Sequence, residues 1–189
     1  MPICPTCGSS TPEGRFCESC GSRLDTLLNF TQEYCNTLHA RLAGIGFDIK
    51  RNISINPYVL GIAGQKKGVK ELGVLFSMGI VFFSVMPMDN PDPIKVIQFS
   101  DRIAELAKES GATSHWVMTL TIPVVVTETI TYDMRAWIAG LRMDFRYNMI
   151  VFPAIAVHSS REIVFSQKTG FVGAFLQKIG WNAGMVPHL

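Results

Sequence analysis

The feature that most constrains this chain is a cluster of four cysteines within its first 20 residues. They form two Cys-x-x-Cys-Gly motifs, Cys4 with Cys7 and Cys17 with Cys20. Each motif bends the chain tightly enough for both sulfurs to reach one ion, and the following glycine permits the positive φ that such a bend favours. Four thiolates complete the tetrahedral shell of a structural zinc ion and leave no position open for water. The sequence therefore predicts zinc bound by these four cysteines.

The residues around these motifs, 1–24, are too few to bury a hydrophobic core. Their folding energy would come largely from the metal, on the order of 10 kcal/mol. The intact pattern, Cys-Pro-x-Cys-Gly followed by Cys-x-x-Cys-Gly, resembles the zinc ribbons at the N-termini of many bacterial and archaeal proteins. The resemblance implies zinc and a compact β-fold, but such ribbons serve protein contacts, nucleic-acid contacts or structure alone. We expect a zinc ribbon over 1–24 and a larger domain over 25–189.

The composition allows a substantial core but no strong electrostatic field. Of the 189 residues, 48% are hydrophobic and 17% are charged, and the net charge is +2. Charge alone would therefore hold neither nucleic acid nor an anionic membrane strongly. The longest apolar run, 72–88, is near the lower limit for a membrane-spanning helix, but its β-branched and aromatic residues favour a buried strand. We expect no membrane span.

The first residues of the sequence indicate the cellular compartment in which we expect the protein. It lacks the order of basic, apolar and small residues that is typical of a secretory signal, because the cysteines begin at position 4. We therefore expect a reducing cytoplasm. In that compartment a cluster of four cysteines is better explained by metal than by disulfides.

Hydrophobic periodicity in residues 25–189 predicts an α/β domain. Apolar residues at steps of three and four predict four helices, at 25–45, 92–111, 133–146 and 170–181. Alternating or continuous apolar segments predict strands at 47–55, 58–63, 72–88, 115–130, 149–157 and 161–166. We expect a polar loop over 64–71, and a bulge or an edge position at Pro123. The expected architecture is a mixed sheet of five to six strands with helices on both faces.

Two groups of basic residues are candidate contacts for an anion or a nucleic acid. The first is the one tight basic cluster, expected at a hairpin tip, and the second is expected along the third helix. The candidates are Lys66, Lys67, Lys70, Arg142 and Arg146. Simple solvation of a loop and of a helix face is the alternative explanation for both groups.

One enzyme family offers a topological comparison. An opening helix, a short antiparallel meander and a crossover resemble the restriction-endonuclease-like nuclease folds. Nucleases of that type hold Mg²⁺ between an acid near the second strand and a Glu-x-Lys or Asp-x-Lys on the next. The one match here is Asp48 with Lys50, which falls on the first strand, and 72–88 contains no carboxylate. The resemblance therefore implies a degenerate, binding-only relative more than an active nuclease.

Other catalytic signatures are absent from the sequence. It contains no glycine-rich dinucleotide or phosphate loop and no Gly-x-Ser-x-Gly elbow. His158 next to Ser159 could be drawn as a hydrolytic triad with Glu128 or Asp133, but adjacency in sequence is poor support for that geometry. No small-molecule substrate is indicated. The sequence thus favours a binding protein over an enzyme.

The function that the sequence favours is that of a cytoplasmic binding or adaptor protein. High apolar content, low charge and apolar residues near the C-terminus favour protein-protein contacts or self-association. The alternative is a nucleic-acid-binding protein with a degenerate nuclease-like domain, which would use the candidate lysines and arginines.

Overall fold

The computed structural model describes residue 19 and residues 26–69, 79–109, 118–142, 144–146, 148–169 and 172–178. Within these residues the chain forms an α/β domain with one mixed sheet, as the sequence predicts. The four cysteines predicted to bind zinc lie outside the described residues, and so does Lys70. The predicted zinc ribbon therefore stays a prediction.

Four helices and eight strands make up the described part of the domain. The helices are α1 (Thr26–Gly44), α2 (Pro93–Glu109), α3 (Tyr132–Gly140) and α4 (Val172–Lys178). The strands are β1 (Asp48–Ile55), β2 (Tyr58–Val69), β3 (Gly79–Pro87), β4 (Met118–Thr127), β5 (Asp144–Arg146), β6 (Met149–Val151), β7 (Ala154–Val157) and β8 (Glu162–Phe165).

The sheet combines an antiparallel meander with parallel crossovers. β1, β2 and β3 are antiparallel neighbours. The crossover through α2 places β4 parallel to β3, and the crossover through α3 places β6 and β7 parallel to β4. β5 and β8 pair antiparallel with β6 and β7 at the far side. Because β6 and β7 both pair with β4, the eight strands fill six lateral positions.

Hydrophobic cores lie on both faces of the sheet. On one face, Phe30 and Leu42 of α1 and Phe175 of α4 pack against the strands. On the other face, Phe99 of α2 and Ile138 of α3 do the same. We call these the α1 face and the α2 face. Helices cover both, which confirms the predicted architecture.

The two ends of the sheet differ in what they carry. Because β3, β4 and β7 are parallel, their carboxyl ends meet at one end, which we call the carboxyl edge; the opposite end is the amino edge. α2 and α3 each follow a parallel strand and therefore begin at the carboxyl edge. α1 begins there too, because its Phe30 ring lies 4.5 Å from the ring of His158, which follows β7.

The prediction of a polar loop over residues 64–71 is wrong for residues 64–69. β2 continues to Val69, and Gln65, Lys66 and Lys67 pair with residues of β3. Pairing with β3 satisfies main-chain hydrogen bonds of this segment, and it outweighs the polar composition.

The third helix is shorter than expected. α3 ends at Gly140, and residues 144–146 form β5, which pairs with β6. Arg142 and Arg146 therefore do not share a helix, and that part of the prediction is wrong. At the other end, the side chain of Thr131 accepts a hydrogen bond of 3.1 Å from the main-chain N–H of Met134, so Thr131 caps the helix.

Pro123 occupies neither a bulge nor an edge. It lies in β4, a central strand, opposite Ser84 in an unbroken register with β3. On the other side, the N–H of Phe152 donates to Thr121 O at 2.9 Å. The next bond of a parallel ladder would come from residue 123, and proline has no N–H to donate. The ladder is interrupted there, between β6 and β7.

The apolar run over residues 72–88 contains β3, as the sequence predicts for a buried strand. No helix in the described part of the chain is long and apolar enough to cross a membrane.

Candidate functional site

No metal centre is found among the residues that the structure describes. They contain no group of three or more His, Cys, Asp or Glu side chains that could hold an ion. The one described cysteine, Cys35, is buried on the inner side of α1. Burial raises the pKa of the Cys35 thiol to about 12, so the thiol is protonated and unreactive at neutral pH.

The two described lysines of the predicted basic cluster point to different faces. Lys66 pairs with Val81, whose side chain lies in the α1-face core, and its ammonium group donates to the main-chain carbonyl of Ile45. This cation stabilises the negative end of α1. Lys67 is the next residue of β2, so its exposed side chain lies on the α2 face. The expectation of a single cluster at a hairpin tip is wrong for these two lysines.

The candidate arginines lie on the far side of the sheet. Arg142 is exposed just beyond α3, and Arg146 belongs to β5. Three strands separate β2 from β5, which corresponds to about 19 Å across the sheet. The structure therefore does not bring the lysines and arginines together, and contact with nucleic acid stays a prediction.

A third arginine near them is already paired. The Arg135 guanidinium on α3 binds the Glu162 carboxylate on β8. Hydrogen bonding to Arg135 lowers the pKa of Glu162, and hydrogen bonding to Glu162 raises the pKa of Arg135. This ion pair links α3 to β8. Because the Arg135 guanidinium is already paired, it is not free to bind a phosphate group.

The described strands lack the carboxylates that a nuclease of the restriction-endonuclease type would need. The order α1, β1, β2, β3, α2, β4 matches the order on which that resemblance rests. However, β2 and β3 contain no aspartate or glutamate. Asp48 and Lys50 lie together on β1, and in the described sheet its one neighbouring strand, β2, supplies no second acid to complete a Mg²⁺ site.

A groove does form beside Asp48 and Lys50. It lies on the α2 face near the amino edge, between the meander and the last turns of α2, and its volume is about 190 Å³. We call it the β1 groove. Its polar side chains are Asp48, Lys50 and Gln65, and its apolar side chains include Ile53, Phe82 and Leu106.

Two residues 30 positions apart meet at the carboxyl edge. His158 Nδ1 lies 2.8 Å from Glu128 Oε2, and the Phe30 ring packs on the imidazole. The pair forms because β4 and β7 are parallel neighbours and each residue directly follows its strand. Sequence reasoning had named both residues only as parts of a possible triad.

That triad is not assembled in the described residues. Ser159 contributes its main-chain N–H to the carbonyl of Glu128. The Ser160 hydroxyl donates to Glu162 at 2.7 Å. Because neither hydroxyl hydrogen-bonds His158 in this part of the chain, the His158–Glu128 pair is left without a nucleophile. It joins the ends of β4 and β7 beneath the start of α1.

Large hydrophobic side chains are exposed at the carboxyl edge. Ile94 and Ile97 on the first turns of α2 are 68% and 47% exposed, Tyr132 at the start of α3 is 82% exposed, and Val59 near the start of β2 is 62% exposed. β2 is antiparallel to β3, so its start lies at the same edge. We call these four residues the carboxyl-edge surface.

Grooves lie beside two of the four residues of the carboxyl-edge surface. Val59 lines a depression together with Met88, Lys95 and Gln98, which joins β2 and β3 to α2. Ile97 lines a second groove together with Trp137 of α3. Exposed hydrophobic side chains that gather at one edge of a domain are candidates for an interaction site.

The fold and its surfaces define a class: an α/β domain with exposed hydrophobic side chains at the carboxyl edge of a mixed sheet. Comparison with models of known protein families and with the sequences of curated proteins found no match.

Proposed function

We propose that this protein is a binding module that works through protein-protein contact, and that the contact is self-association through the carboxyl-edge surface. The observation that carries the proposal is the exposure of Val59, Ile94, Ile97 and Tyr132 at one edge of the sheet. Removing these side chains from water would contribute about 25 cal/mol for each Å² of apolar surface that becomes buried.

The charges around this surface favour a second copy of the chain as the partner. α2 carries three basic and three acidic residues, so its net charge is zero. Lys95 pairs with Asp92, and Arg102 pairs with Glu105 and Glu109. A surface without an excess of either sign neither repels its own copy nor selects a strongly charged partner. A two-fold dimer would place the same apolar patch against itself.

The test of self-association is the Ile97→Glu substitution. A charge in the centre of the apolar contact would have to be desolvated without a partner, so we expect the dimer to dissociate. Size-exclusion chromatography with light scattering would show the mass of the wild-type dimer fall to that of one chain. Ala40→Glu, which adds the same charge at an exposed position of α1 away from this surface, should leave the dimer intact.

Two results would contradict this assignment. One is a dimer that survives Ile97→Glu unchanged, since the carboxyl-edge surface would then not be the contact. The other is equal dissociation by Ile97→Glu and Ala40→Glu, since the effect would then come from added charge in general. Far-UV circular dichroism would confirm that both variants keep their helices and strands.

We propose in addition that Cys4, Cys7, Cys17 and Cys20 hold one zinc ion in a protein that resides in a reducing cytoplasm. The chemistry of the donor set supports this, because four sulfurs at this spacing suit tetrahedral zinc. The fifth cysteine, Cys35, is buried with a protonated thiol and does not compete for the metal. The zinc would supply folding energy to the residues around it.

Elemental analysis tests the zinc proposal. We expect about one equivalent of zinc per chain, and none in the Cys4→Ser/Cys7→Ser variant, because two ligands cannot retain a structural ion. The circular dichroism of the larger domain should change little. Cys35→Ala is the matched control and should keep its metal. Wild-type protein without zinc, prepared in the absence of oxygen and chelators, would refute the proposal.

A further inference from the structure

The β1 groove offers a site that neither self-association nor zinc accounts for. Asp48 and Lys50 lie two residues apart on one face of β1, so their Cα atoms are about 6.6 Å apart. Gln65 lies directly across from Asp48 on β2 and lines the same groove. A carboxylate, an ammonium group and an amide therefore converge at one position of the sheet.

These groups have no partners of their own in the described part of the chain. No hydrogen bond or ion pair joins the side chains of Asp48, Lys50 and Gln65 to one another or to a described neighbour. Asp92, Glu105, Glu109 and Glu162, by contrast, are all paired. Unpaired opposite charges beside an apolar wall suit a ligand that carries both charges itself.

The rest of the groove sets the size and the polarity of that ligand. Its volume of about 190 Å³ corresponds to roughly six water molecules at ~30 Å³ each. Ile53, Phe82 and Leu106 provide an apolar wall. The groove can therefore take a small molecule with an apolar side chain.

We propose that the β1 groove binds a free α-amino acid with an aliphatic or aromatic side chain. The ligand ammonium group pairs with Asp48, its carboxylate pairs with Lys50 and accepts from the Gln65 amide, and its side chain packs against Phe82 and Leu106. A ligand with one charge would contact only one of the two charged side chains, whereas a zwitterion makes an ionic contact with each of them. A phosphate would in addition meet the repulsion of Asp48.

Isothermal titration with L-leucine and two matched analogues tests the ligand class. Isoamylamine keeps the ammonium group and the apolar chain but lacks the carboxylate, and isocaproic acid keeps the carboxylate but lacks the ammonium group. We expect L-leucine to bind at least about tenfold more tightly than either analogue, because each analogue loses one charged contact. Equal affinity for all three compounds, or no binding of L-leucine at millimolar concentration, would overturn the proposal.

Substitutions locate the site. Asp48→Asn and Lys50→Gln should each weaken L-leucine binding by about tenfold or more, because each removes one charge from the groove. Asp89→Asn and Lys168→Gln remove the same charges at exposed positions outside the groove and should leave the affinity unchanged. Asp48 and Lys50 are exposed, so their variants are expected to fold. Unchanged affinity in Asp48→Asn and Lys50→Gln would overturn the proposed site.

Discussion

Replacing Phe99 with alanine is expected to lower the free energy of unfolding by about 3–5 kcal/mol. Phe99 is fully buried between α2 and the sheet, and its ring meets the Tyr58 ring edge-on at a centroid distance of 5.4 Å. Alanine would remove the whole ring and leave a cavity that the packed strands beneath α2 cannot fill. Urea unfolding followed by circular dichroism, at one fixed protein concentration, measures the loss.

The neighbouring residue provides the control. Gln98 is exposed on the same turn of α2, so Gln98→Ala should change the free energy of unfolding by less than about 0.5 kcal/mol. If Phe99→Ala cost no more than Gln98→Ala, α2 would not be packed on the sheet as described.

Gly61→Ala is expected to destabilise the fold by about 1–3 kcal/mol through overpacking. A Cβ at Gly61 would lie 2.7 Å from Cys35 Sγ and 3.8 Å from both Thr31 Cγ2 and Val85 O. Cys35 is on the buried side of α1, so relief of the clash requires its side chain to rotate within the core or α1 to move away from β2. This close approach of helix and strand explains why position 61 has no side chain.

A double-mutant cycle measures that clash directly. In a Cys35→Ala background the sulfur is absent, so Gly61→Ala should lose most of its cost. Gly44→Ala is the matched control, because a Cβ there meets nothing within 4 Å, and it should be neutral or slightly stabilising. An equal cost of Gly61→Ala in both backgrounds would show that the close contact between Gly61 and Cys35 is not the cause.

The sequence predicted elements whose burial follows a clear period. α1 and α2 were predicted from apolar residues at steps of three and four, such as Leu38 and Leu42, and those residues are buried. Asp92 is the first residue of the predicted second helix, and its side chain accepts a hydrogen bond from the N–H of Lys95 at 2.9 Å. This bond lowers the pKa of the Asp92 carboxyl group. Local patterns of this kind are readable because neighbours along the chain determine them.

Prediction from the sequence was wrong where pairing with a strand distant in the chain determines the structure. Gln65, Lys66 and Lys67 look like loop residues, yet pairing with β3 extends β2 through them. The residues that follow Leu141 continue a helical pattern, yet pairing with β6 makes 144–146 a strand. No local feature of the sequence reveals either pairing.

The candidate sites could not be predicted from the sequence for the same reason. Asp48 and Lys50 were found through a motif, but their groove depends on α2 folding back over the meander. His158 and Glu128 meet only because β4 and β7 are neighbours. The one signal that could have paired them is that each lies at or near the carboxyl end of a segment predicted as a strand.

The central claim is that this chain associates with its own copy through the carboxyl-edge surface, and sedimentation equilibrium of the wild-type protein over a range of concentrations tests it most directly. The mass of one chain is 20.9 kDa. We predict a mass that rises with concentration to a plateau at twice that value, and a mass that stays at that of one chain in Ile97→Glu. A wild-type protein that sediments as a single chain of 20.9 kDa at every concentration would contradict the account.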